Sequence, residues 1–172
     1  MACVLTSGFT LDCKDSVGGI HDIWIIENSK ISSATVSPTA GTCTALTLST
    51  GTYFKYQLKK GTADLKIEEI TSAINQSVFS KATLNIQLAK VDVAKRNEIR
   101  LLAQNTLSII VKDRNAKYWL LGYENGCDLA TASGEFGKAM GDFNGYNLTF
   151  EAEEKQAPYQ LSDAVVTALS LT

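Results

Sequence analysis

Apolar and polar residues alternate with period two along four stretches of this chain. Phe54, Tyr56 and Leu58 alternate with Lys55, Gln57 and Lys59, and Ala63, Leu65 and Ile67 alternate with Asp64, Lys66 and Glu68. Leu84, Ile86 and Leu88 do so with Thr83, Asn85 and Gln87, and Tyr146, Leu148, Phe150 and Ala152 with Asn147, Thr149, Glu151 and Glu153. Successive side chains of a strand point to opposite faces. Each stretch therefore predicts a half-buried strand, with one face on a core and the other toward water or a lumen. Shorter apolar runs at 23–26, 34–36, 45–48 and 165–171 predict further strands. The doublet Glu68-Glu69 interrupts the alternation, and a β-bulge there would put Ile67 and Ile70 on one face.

Turn chemistry separates these runs. Lys60-Gly61 joins the stretches around Tyr56 and Leu65, and Asn144-Gly145 closes a glycine-rich segment before Tyr146. Asp113-Arg114-Asn115-Ala116 lies between 108–112 and 118–121 as a hairpin turn would. One segment departs from the β pattern. Residues 92–104 lack Gly and Pro, Asp92 is placed to cap a helix, and Ile99, Leu102 and Ala103 share one helical face. The predicted fold is mainly β, a sandwich or barrel with one packed α-helix at about 92–104. No internal repeat or domain boundary is visible, so residues 1–172 read as one domain.

Composition narrows the function. Hydrophobic residues make up 45% of the 172, enough for a core, and the net charge is −2, so no basic footprint for nucleic acid is present. The segment 31–54 carries no charge, but Ser, Thr and Gly dominate it and Pro38 interrupts it, which argues against a membrane span. Met1 to Gly8 has no basic start and only a short apolar run, so no secretory signal is expected. Cys3, Cys13, Cys43 and Cys127 are widely spaced without a C-x-x-C pair, which predicts reduced structural cysteines instead of a zinc site.

Catalytic constellations are hard to assemble. His21 is the only histidine, Asp22 beside it is a poor orienter, and no nucleophile elbow accompanies them. Gly18-Gly19 leads into a strand, so it cannot use a helix N-terminus to hold phosphate. Residues 141–145 have a faint calcium-loop look but lack the remaining oxygen ligands. Glu68/Glu69 and Glu153/Glu154 are adjacent along strands and point to opposite faces, so neither pair is a dyad. Tyr118, Trp119, Tyr123, Phe136, Phe143 and Tyr146 are spread over two strands and a loop, where core packing explains them better than a carbohydrate face. A non-enzymatic protein without cofactor or metal is expected.

Three stretches carry a resemblance. Residues 6–20 (TSGFTLDCKDSVGGI), the hairpin 109–122 (IIVKDRNAKYWLLG) and residues 137–150, with GDFNGYNLTF, resemble bacteriophage tail-tube-like virion proteins of phages that infect Bacteroidetes. Ala116 departs from the pattern, standing where a turn glycine is usual. The resemblance implies a structural subunit forming hexameric rings, stacked into a conduit through which DNA passes without specific binding. Its implied partners are copies of itself and other tail proteins, and its implied location is the virion tail, after synthesis in the host cytoplasm. Other virion rings, neck or head decoration proteins are the alternatives within that class, and a carbohydrate-binding β-sandwich is the alternative outside it.

The uncharged segment 31–54 fits an arm lying on a neighbouring subunit, where charge would be costly to desolvate. Val36 and Leu46 are the candidate inter-subunit contacts on that arm.

Overall fold

The computed structural model describes residues 8–11 and 13–171. In chain order the elements are β1 (Ile20–Glu27), β2 (Ile31–Ser37), β3 (Thr42–Leu48), β4 (Phe54–Gln57), β5 (Ala63–Ser72) and β6 (Ser77–Ala89). They continue as α1 (Val93–Gln104), β7 (Leu107–Asp113), β8 (Tyr118–Leu121), β9 (Cys127–Glu135), β10 (Gly145–Glu154), β11 (Tyr159–Leu161) and α2 (Asp163–Ala168). The protein is mainly β, as the alternation predicts, with α1 the one helix of more than two turns among the described residues.

The strands form one mixed sheet in the order β2-β3-β11-β8-β7-β9-β10-β6-β5, with β1 bridging β7 and β4 beside that path. Between β7 and β9 the only ladder pair is Leu107 with Cys127. At that corner the sheet folds over. Leu84 and Ile86 of β6 and Leu148 and Phe150 of β10 thereby reach Ile23, Ile25, Ile109 and Val111 of β1 and β7 in one core. The opposite face of β1 and β7 is covered too. Trp24, Ile26 and Ile110 pack with Cys43, Leu46, Tyr53, Tyr159, Leu161, Val165 and Leu171 in a second core. Burial on both faces explains why β1 and β7 read as continuous apolar runs without alternation. Each such side chain contributes roughly 1.5–3 kcal/mol by leaving water.

Helix α1 starts where the sequence predicts, with the Asp92 carboxylate accepting from the Ala94 N–H at 3.4 Å. Leu102 is buried and Ile99 packs on the first core, whereas Ala103 is exposed. The hairpin β7–β8 is also as expected. Its turn is held by Asp113, whose Oδ1 accepts the N–H groups of Asn115 and Lys117, both at 2.8 Å. Ala116 takes φ +59 there, the left-handed conformation that a glycine would adopt at less cost.

Several expectations are corrected. The ladder between β5 and β6 runs without a register shift from Ala63↔Ile86 to Ser72↔Ser77, so Glu68-Glu69 is not a bulge. Ile67 and Ile70 face opposite ways there, and both are exposed because no core reaches that end of the hairpin. Register shifts fall elsewhere, one of them at His21 in β1. Residues 165–171 are not a strand. Asp163–Ala168 forms a short helix opened by the Ser162 carbonyl, which accepts from Val165 and Val166, and it drops Val165 and Leu171 into the second core. Nor is 31–54 an extended arm. β2 and β3 form a hairpin whose turn spans Pro38 to Gly41, and β3 joins the sheet through its parallel pairing with β11.

Candidate assembly surface

Strand register sorts most of the charged residues of the outer half-sheet onto one face. Across β5, β6, β10 and β9, one cross-strand row reads Glu68, Lys81, Glu153, and the next reads Lys66, Thr83, Glu151, Asp128. A third row reads Asp64, Asn85, Thr149, Thr131, and a fourth Gln87, Asn147, Ser133. Glu135 ends the face opposite Gly145. The other parity of the same strands supplies Leu65, Leu84, Ile86, Leu148 and Phe150 to the first core. A core-facing sheet thus carries an outward face that is wholly polar in its central rows.

That face is acidic. Asp64, Glu68, Asp128, Glu135, Glu151 and Glu153 oppose only Lys66 and Lys81, a net of four negative charges, whereas the whole chain carries −2. Cross-strand bonds fix the side chains. Lys81 Nζ donates to Glu151 at 2.8 Å and lies 3.6 Å from Glu153, and along β5 itself Lys66 pairs with Glu68 at 2.8 Å. Asn85 donates to Asp64 at 3.0 Å and accepts from the Thr149 hydroxyl at 2.9 Å, and Asn147 donates to Glu135 at 3.1 Å. The hydrogen bond to Glu151 is the main cause holding the Lys81 ammonium above its ordinary pKa.

The sequence-predicted contacts lie elsewhere. Leu46 is 5% exposed and sits in the second core, so it offers a neighbour no surface, and Val36 is half-buried against the same core. Of the 31–54 segment, Cys43 and Tyr53 are buried as well. A Ser/Thr-rich uncharged segment therefore covers the chain's own core with alternate residues, while its hydroxyls line the outer side, as in the Ser33–Thr47 pair.

The remaining candidates fall into structural places. His21 is exposed and its Nδ1 lies 3.0 Å from Asp22 Oδ2, which also pairs with Lys55 at 3.3 Å. Asp142 Oδ2 accepts the N–H groups of Lys138 and Ala139, both at 2.7 Å, and the bond from Ala139, then that from Lys138, holds its carboxyl below the usual range. Turn geometry thus occupies the loop that looked calcium-like, and no group of three or more His, Cys, Asp or Glu able to hold a metal occurs among the described residues. The aromatic residues divide between the cores: Trp119 and Tyr146 pack on the first, Tyr118 and Tyr123 on the second, and Phe136 is exposed. Glu153 points outward and Glu154 inward, as adjacent strand residues must. Glu154 accepts the Glu124 N–H at 2.7 Å, and burial raises its pKa.

Cys43 and Cys127 are buried thiols whose pKa burial raises, Cys13 is an exposed thiol, and Cys3 lies outside the described residues. No helix among the described residues is long and apolar enough to cross a membrane. Comparison of the chain with protein-family models, curated proteins and solved structures finds no match.

Sequence reasoning missed the acidic face. The alternation of each strand was readable, but the face emerges only once β9 is recognised as a strand and the order β9-β10-β6-β5 is known. The available signal was the excess of Asp and Glu over Lys at the polar parity of the alternating stretches.

Proposed function

We propose that this chain is a structural subunit of a phage tail tube, assembled into stacked rings with the acidic face of β9-β10-β6-β5 turned to the conduit. The observation that carries this reading is the net charge of −4 on an ordered, outward polar face whose reverse side is the core. DNA phosphates gain affinity from every cation they meet, by counterion release. A conduit must let DNA pass without holding it, and a face of this sign repels the backbone along its length. The resemblance of residues 6–20, 109–122 and 137–150 to tail-tube-like proteins supports the same assignment and implies the hexameric ring. Strands β2 and β5 end the sheet, and pairing or covering such edges on assembly removes the hazard they present. Copies of the chain, neighbouring tail proteins and transiting DNA are its partners in this reading.

Electron microscopy of the purified protein at high concentration tests it. Stacked rings with an open channel are expected. A strictly monomeric mass by light scattering at the same concentration refutes the proposal, and single rings that never stack favour a neck or terminator ring. The orientation of the face is tested separately by combining Asp64→Lys, Glu68→Lys and Glu153→Lys, which takes it from four net negative to two net positive charges. Tubes of this variant should retain duplex DNA at low salt where wild-type tubes do not.

A further inference from the structure

A hollow of about 400 Å³ opens where β5 meets the β7–β8 turn and the segment leading into β1. Leu65, Val111 and Trp119 give it an apolar wall, and Val111 and Trp119 are ladder partners that share one face of the β7–β8 hairpin. Asp64 of β5 and Asp113 at the end of β7 supply its charge, and no Lys, Arg or His is among its lining residues. A cleft of this size, with an apolar wall and a few placed polar groups, is the usual form of a small-molecule site.

The remaining wall, residues 16–19, is fixed by the turn. The Asn115 side chain donates to the Val17 carbonyl and accepts the Val17 N–H, both at 2.9 Å, and the Arg114 N–H donates to the Gly19 carbonyl at 3.1 Å. The segment is thereby pinned along the turn in the manner of a short added strand, and Gly18 and Gly19 put no side chain into the space.

Both carboxylates are met by neutral donors. Asp64 Oδ2 accepts from the Asn85 amide at 3.0 Å. Asp113 Oδ1 accepts the N–H groups of Asn115 and Lys117, and Asp113 Oδ2 accepts from the Trp119 indole at 3.4 Å. Such bonds orient a carboxylate and leave its charge uncancelled. Among the described residues neither Asp forms an ion pair, not even with Arg114, whose side chain lies beside Gly19. Glu68, Glu151 and Glu153 of the neighbouring acidic face, by contrast, each hold a lysine.

Two uncancelled negative charges beside an indole wall suit an ammonium group, which is attracted by the carboxylates and by the ring. They suit a sugar poorly, because the Asn115 amide and the indole N–H, which would read its hydroxyls, are already bonded to Val17 and Asp113. We propose that this hollow binds a small organic ammonium ion, its charge toward Asp64 and Asp113 and its alkyl part on Leu65, Val111 and Trp119. A free diamine and the lysine side chain of a peptide both carry that chemistry. The site is complete within one chain, so it stands or falls apart from the tube reading.

Calorimetric titration of the wild-type protein tests the site. Putrescine is the free amine, acetyl-lysine methylamide with its side-chain amine unblocked is the lysyl probe, and butanediol is the uncharged match for putrescine. Putrescine should bind and butanediol should not. Asp64→Asn, at an exposed position, should leave the circular dichroism unchanged and weaken putrescine binding by about fivefold, the effect of one charge near a cation in water. Trp119→Leu should weaken it by about threefold. Because Trp119 also packs on the core, the decision rests on Asp64→Asn. Glu135→Gln removes the same charge from the acidic face outside the hollow and should leave binding unchanged. Tighter binding of the lysyl probe supports the site and assigns it to a peptide, and tighter binding of putrescine supports it and assigns it to a free amine. No heat from either amine overturns the proposal. An equal loss in Asp64→Asn and Glu135→Gln overturns it too, by showing only general attraction to the acidic face.

Discussion

Replacing Leu46 separates a core role from an assembly role. The side chain is 5% exposed and packs in the second core with Trp24, Ile26 and Ile110. Truncating a buried Leu to Ala removes transfer energy and leaves a partly collapsed cavity, a loss of about 2–5 kcal/mol. In a chain of this length each kcal/mol lowers Tm by about 2–4 °C, so about 3 kcal/mol implies a drop of roughly 10 °C. Leu46→Glu is worse, because the carboxylate is buried without a partner as well, and a loss of several kcal/mol takes most of the stability of an ordinary domain, about 5–15 kcal/mol. Val36 is only half-buried at the edge strand, where a Glu can reach water, so Val36→Glu should remain folded. Urea titrations followed by circular dichroism give the three midpoints. A Leu46→Glu protein with the wild-type midpoint would refute the placement of Leu46 in the core, and with it the fold of the β2–β3 hairpin onto β1.

Further outcomes follow from single groups. Because burial raises the folded-state pKa of Glu154, the native chain takes up a proton at pH values where the unfolded chain does not, so its stability rises as pH falls from neutral into that window. The urea midpoint of wild type relative to Glu154→Gln should therefore increase between pH 7 and pH 5, and a constant or shrinking difference sinks the idea. Ala116→Gly should raise stability by about 0.5–1 kcal/mol by relieving the left-handed backbone at φ +59, read as a higher Tm. Asp92→Ala removes the acceptor for the Ala94 N–H and should cost about 1 kcal/mol, seen as a lower urea midpoint. Tyr53→Phe deletes a buried hydroxyl 3.1 Å from Ser108 Oγ, and the loss should be about 1 kcal/mol by the same measurement.

What the sequence disclosed depends on how each element is covered. β6 and β10 have one face on a core and one on solvent, so their alternation is plain and their register follows. Helix α1 has a capping Asp92 and an amphipathic face, and its boundaries are readable to a residue. β1 was a weaker signal, because burial on both faces erases the period that marks a strand, whereas β7, buried likewise, was marked by the turn at 113–116. β9 was invisible for a different reason. Its sequence CDLATASGE is short of apolar residues, and Gly134 stands opposite Tyr146, whose ring would come within 3.0 Å of an added Cβ. The tyrosine covers the glycine across the ladder, a pairing that no single strand reveals. α2 was misread because Val165, Val166, Leu169 and Leu171 suit either state. Its start was marked by Ser162 and Asp163, and a six-residue helix has too few turns to show a period.

The surface was harder to see than the core because assembly depends on which residues share a face, and pairing order decides that. Counted along the chain, charge is nearly balanced at −2, which says only that the protein lacks a basic footprint. Sorted by strand parity and register, the same residues give one face at −4, and the β4–α1 rim then holds Lys55, Lys59 and Lys95 on another side. Segregation of this kind costs self-repulsion on the acidic face, which the Lys66 and Lys81 pairs only partly offset. The uncharged segment 31–54 forms a hairpin whose inward residues sit in the core and whose outward Ser and Thr bond to one another and to backbone carbonyls. Absence of charge marks desolvation without saying by what. From Ile70 to Ser80 the β5–β6 hairpin end is uncharged too, yet Ile70, Ile74 and Val78 remain exposed in the single chain, so the same signal accompanies a covered segment in one hairpin and an open one in the other.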